Sequence, residues 1–337
     1  MTADLIHIHL SQNKDRAAAL SVSWPRREAE RLFIGQPARH VVAMTPLLFS
    51  LCAQAQTLAA GLVLRQAAGQ PATASSAESA ALTLEAARET LRKLLLDWSQ
   101  AFDGSVAAAH WMAQWRAAQN LPALRALAEA LVYGQDCAHW LQGDENGWQA
   151  WLEQGATAPA RWLRRLEQPL PGCALLPPLT ARMLADNLAD WLRPGGPVWQ
   201  GQACEVGALA REAGQLPGML QQGLRPRARL LARLLQLARW LTGESQLQAG
   251  AASLPDGALA LVETARGPLL HLAALDENSC ISRYRVLPPT LWHAHPEGLL
   301  RVSLGFLAAA SGAEWQRQIS LIDPCVAYRV SKESEYA

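Results

Sequence analysis

Half of the 337 residues are hydrophobic, 18% are charged, and the formal net charge is +1. That balance excludes a disordered chain, which lacks the apolar content to build a core, and it gives no basic footprint for nucleic acid. Six cysteines are scattered without a close pair, which points to a reducing, cytoplasmic setting rather than a disulfide scaffold. The first residues carry neither the basic nor the apolar region of a secretion signal. The longest apolar stretch, 41–64, is broken by Thr45, Ser50, Gln54, Gln56 and Thr57, so no membrane span is expected.

Residues 1–24 alternate apolar and polar in two runs around a polar turn, which predicts a β-hairpin. From 25 to 241 the chain reads as a helical body. Its clearest helix spans 75–100, opened by a capping box at Ser75 and Glu78 and carrying Leu84, Ala87, Leu91, Leu94, Leu95 and Trp98 at helical spacing. A second spans 226–241 with a stripe of Leu230, Leu231, Leu234, Leu237 and Leu241. Pro- and Gly-rich loops at 168–178 and 193–197 interrupt the body. A β-rich section covers 257–287, with strands at 258–264, 269–274 and 280–287. Helices at 297–310 and 314–321 lead to an Asp-Pro-Cys segment, and this C-terminal part runs over 297–331. The expected class is α+β, predominantly helical, arranged as a single domain in which segments from both ends of the chain form a small β-sheet.

Thirteen tryptophans stand against four Phe and four Tyr. Trp98, Trp111, Trp115, Trp140, Trp148, Trp151 and Trp162 fall in helical stretches and read first as core, with an interaction surface as the rival. Arg225, Arg227, Arg229, Arg233 and Arg239 read as a solvated helix face, with an acidic partner as the rival. His7 and His9 share one strand face and read as exposed edge residues rather than metal ligands. Cys325 follows the helix stop Asp323-Pro324. By itself it is either a soft-metal ligand or an inert buried thiol, and Cys52 poses the same choice.

Several segments together resemble the large subunit of nickel–iron hydrogenases. In that family an N-terminal Arg-x-Cys-Gly-x-Cys and a C-terminal Asp-Pro-Cys-x-x-Cys-x-x-His supply four thiolates. The stretch from Glu30 to Cys52 follows the family's approach to its first motif. Cys52 falls on the second cysteine, while Phe49 replaces the first, Leu47 the arginine and Gln56 a histidine. Asp323-Pro-Cys325 keeps the first cysteine of the other motif, with Tyr328 in place of the second and Ser331 in place of the histidine. Glu205-Val-Gly-Ala-Leu-Ala-Arg211, Glu263-Thr-Ala-Arg-Gly-Pro-Leu-Leu-His271 and Tyr284-Arg-Val-Leu-Pro-Pro-Thr-Leu-Trp292 resemble three further family segments. The likeness covers roughly 25–65 and 200–331; the shorter middle does not align.

The departures matter as much as the matches. Phe49 and Tyr328 offer no soft ligand, so the resemblance implies no nickel and no working hydrogenase. Arg266 and Thr290 fall where the family contacts the cyanide ligands of iron, and Glu30 falls on a glutamate assigned to proton passage. This set resembles the HupK/HoxV-type hydrogenase accessory proteins. The resemblance implies a non-enzymatic maturation scaffold that transiently carries an Fe(CN)2(CO) fragment. Cys52 and Cys325 would hold the iron, and Arg266, Thr290 and Glu30 would surround it. It implies HypC/HypD-type maturation chaperones and the apo-large subunit as partners. Residues 332–337 follow Ser331 without the histidine of a cleavage signal, so no tail removal is expected. The rival is a metal-free interaction module that mimics the large subunit. Cys137, Cys173, Cys204 and Cys280 are left as bystanders, with Cys204 the first to check because it abuts a matching segment.

Overall fold

Strand β1 (Ile6–Gln12) lies at the centre of a three-stranded sheet, paired antiparallel with β2 (Ala19–Ser23) and parallel with the C-terminal strand Tyr328–Ser334. The computed structural model describes residues 5–12, 19–104, 109–307 and 310–334. Ile6, Ile8 and Leu10 are fully buried, as strict alternation requires of a sheet with one face on the core. The expected hairpin and the sheet shared by the two termini are both present. The histidines are not on an edge, however: the C-terminal strand covers that side of β1, and His9 Nδ1 sits 3.0 Å from Ser331 Oγ. That pairing spans nearly the whole chain, so the local alternation pattern carries no sign of it.

The helical body contains the expected helices. α1 (Ala38–Leu48) and α2 (Ala53–Ala67) are followed by α3 (Ser76–Lys93), which opens on the capping box: Glu78 N donates to Ser75 Oγ at 3.2 Å and Ser75 N to Glu78 Oε2 at 2.7 Å. A π turn over Leu94–Trp98 continues α3 and brings Leu94, Leu95 and Trp98 onto the core. Trp98, Trp140, Trp148, Trp151 and Trp162 are all buried, and the packing role holds for them. Trp111 and Trp115 are half-buried against the same core. The indoles of Trp148 and Trp151 donate to the carbonyls of Trp140 and Tyr133, so their polar ends are satisfied.

The helix Arg225–Thr242 corrects the sequence reading of its arginines. Its leucine stripe is buried as expected, but so are Arg229 and Arg233, at 3% and 7% exposure. Arg229 Nε pairs with Glu205 Oε1 at 2.6 Å, and Arg233 Nη1 lies 3.3 Å from Asp323 Oδ2. Arg225 and Arg227 reach the carbonyls of Cys173 and Leu163, and Arg239 lies 3.4 Å from Glu212. A helix buried nearly all round runs through the interior. Its cations are held by carboxylates distant in sequence.

A second, four-stranded antiparallel sheet comprises Ala249–Leu254, Gly257–Thr264, Gly267–Leu275 and Ile281–Leu287 in that order. Its first strand precedes the expected β-rich section. α2 packs on this sheet, and its Ala55, Leu58, Ala59, Leu62 and Val63 are buried in the shared core. That contact sets the N-terminus of α2 near the turn that carries Arg266. The C-terminal helices Leu299–Phe306 and Gly312–Ile322 fall where expected; residues 308 and 309 of the first prediction lie outside the described residues.

Candidate iron-fragment site

Four of the five expected site residues converge. Cys52 is the N-cap of α2, in the left-handed conformation with φ 57°. Arg266 sits in the tight turn between Gly257–Thr264 and Gly267–Leu275, where Thr264 Oγ1 accepts from Arg266 N and donates to Gly267 O. Arg266 Nη1 lies 3.7 Å from Cys52 Sγ. Its Nη2 donates to Glu89 Oε1 at 2.7 Å. Its Nε lies 3.1 Å from Asp323 Oδ2, an ion pair without the alignment of a hydrogen bond. Thr290 opens the helix Thr290–His293, and its Oγ1 contacts Cys325 Sγ and accepts from Cys325 N at 3.1 Å.

The sequence segments explain this geometry. Gly207, with φ 88°, brings the Glu205–Arg211 segment so close to the Arg266 turn that a Cβ there would lie 2.8 Å from Arg266 O. Arg211 then ties the turn from behind, through Glu263 and the Thr264 carbonyl. Asp323 ends the helix Gly312–Ile322 in the left-handed conformation, as a C-terminal residue before proline can, and projects Cys325 past that stop.

Electrostatics hold the cluster together. Burial alone would raise the Asp323 carboxyl, but Arg266, Arg233 and Lys93 together hold it down to about 2. Lys93 Nζ lies 3.1 Å from Asp323 Oδ1 and 2.7 Å from Asp97. Burial pushes the Cys52 thiol up to about 12, and Arg266 only partly offsets this. Burial raises Cys325 as well, opposed by Arg266 and by the Thr290 hydroxyl. Burial thus favours the neutral thiol at both cysteines, and both lie in the field of one guanidinium.

Two clefts reach the cluster. One, of about 380 Å³, touches Cys52, Glu85, Glu89 and Trp115. The other, of about 540 Å³, touches Cys325, Lys93, Asp323 and Tyr328. Leu51 lines both. Phe49 packs half-buried against the core, and Tyr328 stands beside Cys325, so neither position of the missing cysteines carries a soft ligand. Among the described residues no group of three or more His, Cys, Asp or Glu side chains is placed to hold a metal ion. The cluster therefore offers two thiols, one guanidinium and one hydroxyl rather than a full protein ligand set.

Glu30 lies in other company. Among the described residues, its carboxylate accepts from Arg26 Nη2 at 2.6 Å and from Val286 N at 3.1 Å. The four other cysteines are free thiols. Cys173, Cys204 and Cys280 each point to a carbonyl, of Glu297, Gln202 and Asn278, and Cys137 is buried in the helical core. Sequence does not single out Glu89 and Lys93, and it marks Asp323 only as a helix stop and motif residue and Arg233 only as part of a solvated face. The four-residue spacing of Glu85, Glu89 and Lys93 on one helix face is the signal that points to three of the α3 residues here.

No family model matches the chain. The hydrogenase expression/formation protein HoxV of Cupriavidus necator is 30% identical, over 90% of this chain and 90% of its own. HupK of Azotobacter vinelandii is 31% identical, over 96% of this chain and 97% of its own. Among solved structures, an NAD+-reducing [NiFe]-hydrogenase in its H2-reduced state matches with a TM-score of 0.57 at 14% identity, over 92% of both chains. The Ni-Fe-Se hydrogenase of Desulfomicrobium baculatum matches at 0.56 and 12% identity, over 93% of this chain and 95% of its own. With this coverage of relatives and this fold of a [NiFe]-hydrogenase large subunit, the chain belongs to the HupK/HoxV family of hydrogenase expression/formation proteins.

Proposed function

We propose that this protein is a non-enzymatic scaffold of [NiFe]-hydrogenase maturation that carries an Fe(CN)2(CO) fragment between Cys52 and Cys325. One observation carries the reading: two thiols from opposite ends of the chain meet at Arg266 and Thr290. Cyanide nitrogen is an anionic acceptor, and buried acceptors need donors. Arg266 supplies a guanidinium and Thr290 a hydroxyl. Each thiol gives up its proton as its sulfur takes the iron, and Arg266 then offsets the thiolate charge. Glu30, tied to Arg26, serves as a structural neighbour of this frame. Nickel has no place in the reading, because Phe49 and Tyr328 stand at the two missing ligand positions.

The partners follow from the cargo: a maturation complex of the HypC/HypD type that supplies the fragment and the apo-large subunit that receives it, meeting in the cytoplasm. No helix among the described residues is long and apolar enough to cross a membrane. Infrared spectroscopy of protein co-expressed with the maturation machinery tests the reading. Cyanide and carbonyl bands are expected in the wild type and are lost in Cys52→Ala and Cys325→Ala; absence of bands from the wild type overturns it.

A second reading, a metal-free module that docks maturation chaperones, draws on Leu47 and Leu51. They are 82% and 50% exposed; Leu51 lines both clefts, and Leu47 stands where the family has arginine. Partner capture undiminished in the Cys52/Cys325 double alanine variant, with no infrared bands, favours that reading.

A further inference from the structure

We propose that Glu85 is the positioning residue for Cys52: its carboxylate caps α2 from outside and so leaves the Cys52 thiol free to face Arg266. An N-cap side chain ordinarily accepts from the backbone N–H two or three residues on, and Ser, Thr, Asp or Asn fills that role. Cys52 is the N-cap of α2 and makes no such bond; its left-handed backbone and weakly accepting sulfur do not suit it to the task. Both orphan donors are nevertheless satisfied. Gln54 N donates to Glu85 Oε1 at 2.7 Å and Ala55 N to Glu85 Oε2 at 3.1 Å. These are the second and third helical residues, the positions that an N-cap side chain would serve. The first intrahelical bond, Gln56 N to Cys52 O at 2.9 Å, follows directly.

Glu85 stands one helical turn before Glu89, the partner of Arg266. A single face of α3 therefore fixes both sides of the Cys52–Arg266 contact: Glu85 holds the backbone beneath the thiol, and Glu89 holds the guanidinium. A negative side chain also suits the positive end of a helix, so the cap takes the form of a carboxylate supplied from elsewhere in the fold.

The test is pulsed carbamidomethylation of the full, cargo-free chain with iodoacetamide, read peptide by peptide with Cys325 and Cys280 as internal references. It stands independently of the iron reading, because no metal is involved. In Glu85→Ala, Cys52 is expected to label about fivefold faster relative to both references, as loss of one cap opens the first turn of α2. Glu85→Gln removes the charge and keeps one acceptor, so it is expected to give a clearly smaller rise. Three results overturn the proposal: an unchanged Cys52 rate, a rise shared in proportion by Cys325 and Cys280, or equal rises in the Gln and Ala variants, which would assign the effect to charge alone. If the Ala variant does not fold, the Gln variant is read by amide hydrogen exchange. Faster exchange confined to the start of α2 supports the proposal, and a uniform change overturns it.

Discussion

The guanidinium of Arg266 lies 3.7 Å from the sulfur of Cys52, and its other two nitrogens are committed to Glu89 and Asp323. One buried planar group therefore joins α2, α3 and the helix that ends at Asp323. Arg266→Ala removes one of three cations around Asp323 and one of two that hold Glu89, so the expected loss in urea unfolding is about 2–3 kcal/mol, below that of a buried carboxylate left with no partner. Arg266→Lys keeps the charge but not the fork. It is expected to recover part of that stability while losing the infrared bands of the bound fragment, which separates the structural from the binding contribution. Equal band intensities in wild type and the Lys variant would remove Arg266 from the binding role.

Gly207 carries a separate prediction. Its φ of 88° and its approach to the Arg266 carbonyl leave no room for a side chain. Gly207→Ala is expected to cost about 1–3 kcal/mol, the backbone having to leave the left-handed region or push the turn away. Because the push falls on Arg266 itself, the Ala variant is expected to lose the infrared bands of the proposed fragment at temperatures where its far-UV circular dichroism is still native. A variant of wild-type stability would show that the turn yields without cost.

What could be read from sequence divides by the range of the interactions. The capping box at Ser75, the leucine stripe at 230–241 and the hairpin all rest on neighbours a few residues apart, and all are present. The central place of β1 rests on a strand at the other end of the chain, which no periodicity reports. The arginines of Arg225–Thr242 misled for the same reason: a charge every few residues looks like a wet face until Glu205 and Asp323 arrive from elsewhere. At the site, Cys52, Cys325, Arg266 and Thr290 were reached only through resemblance, since each alone has an ordinary explanation. The carboxylates and Lys93 that hold them had a local signature in α3, but their partner Asp323 did not mark itself as more than a helix stop.

His271 predicts an acid-sensitive fold. Its Nδ1 lies 2.8 Å from Tyr284 Oη and its Nε2 lies 2.8 Å from Gln56 Oε1, and burial with Arg26 nearby lowers its pKa to about 3. The folded state keeps this ring neutral while the unfolded chain protonates it near 6.5. Stability from this group is therefore complete above pH 6.5 and declines as pH falls toward 3, by up to about 1.4 kcal/mol per pH unit. Urea unfolding at pH 7, 6 and 5 is expected to show this slope, and His271→Gln, which does not titrate, is expected to show one that is shallower by one proton. Parallel slopes for the two proteins would place the acid sensitivity elsewhere.

The positions of the missing cysteines make the strongest test of metal choice. Phe49 is half-buried at the end of α1, and Tyr328 lines the cleft beside Cys325. If ligand type excludes nickel, then Phe49→Cys with Tyr328→Cys restores four thiols at the positions of the enzyme motifs, a soft set suited to nickel. The double variant is expected to take up stoichiometric nickel on dialysis, while wild type and each single variant do not. Binding should strengthen with pH, because every thiol that joins the metal gives up a proton. The two removed aromatics leave space as well as sulfur, so Phe49→Ala with Tyr328→Ala serves as the control: nickel bound equally by that variant would assign exclusion to bulk rather than to the missing thiols.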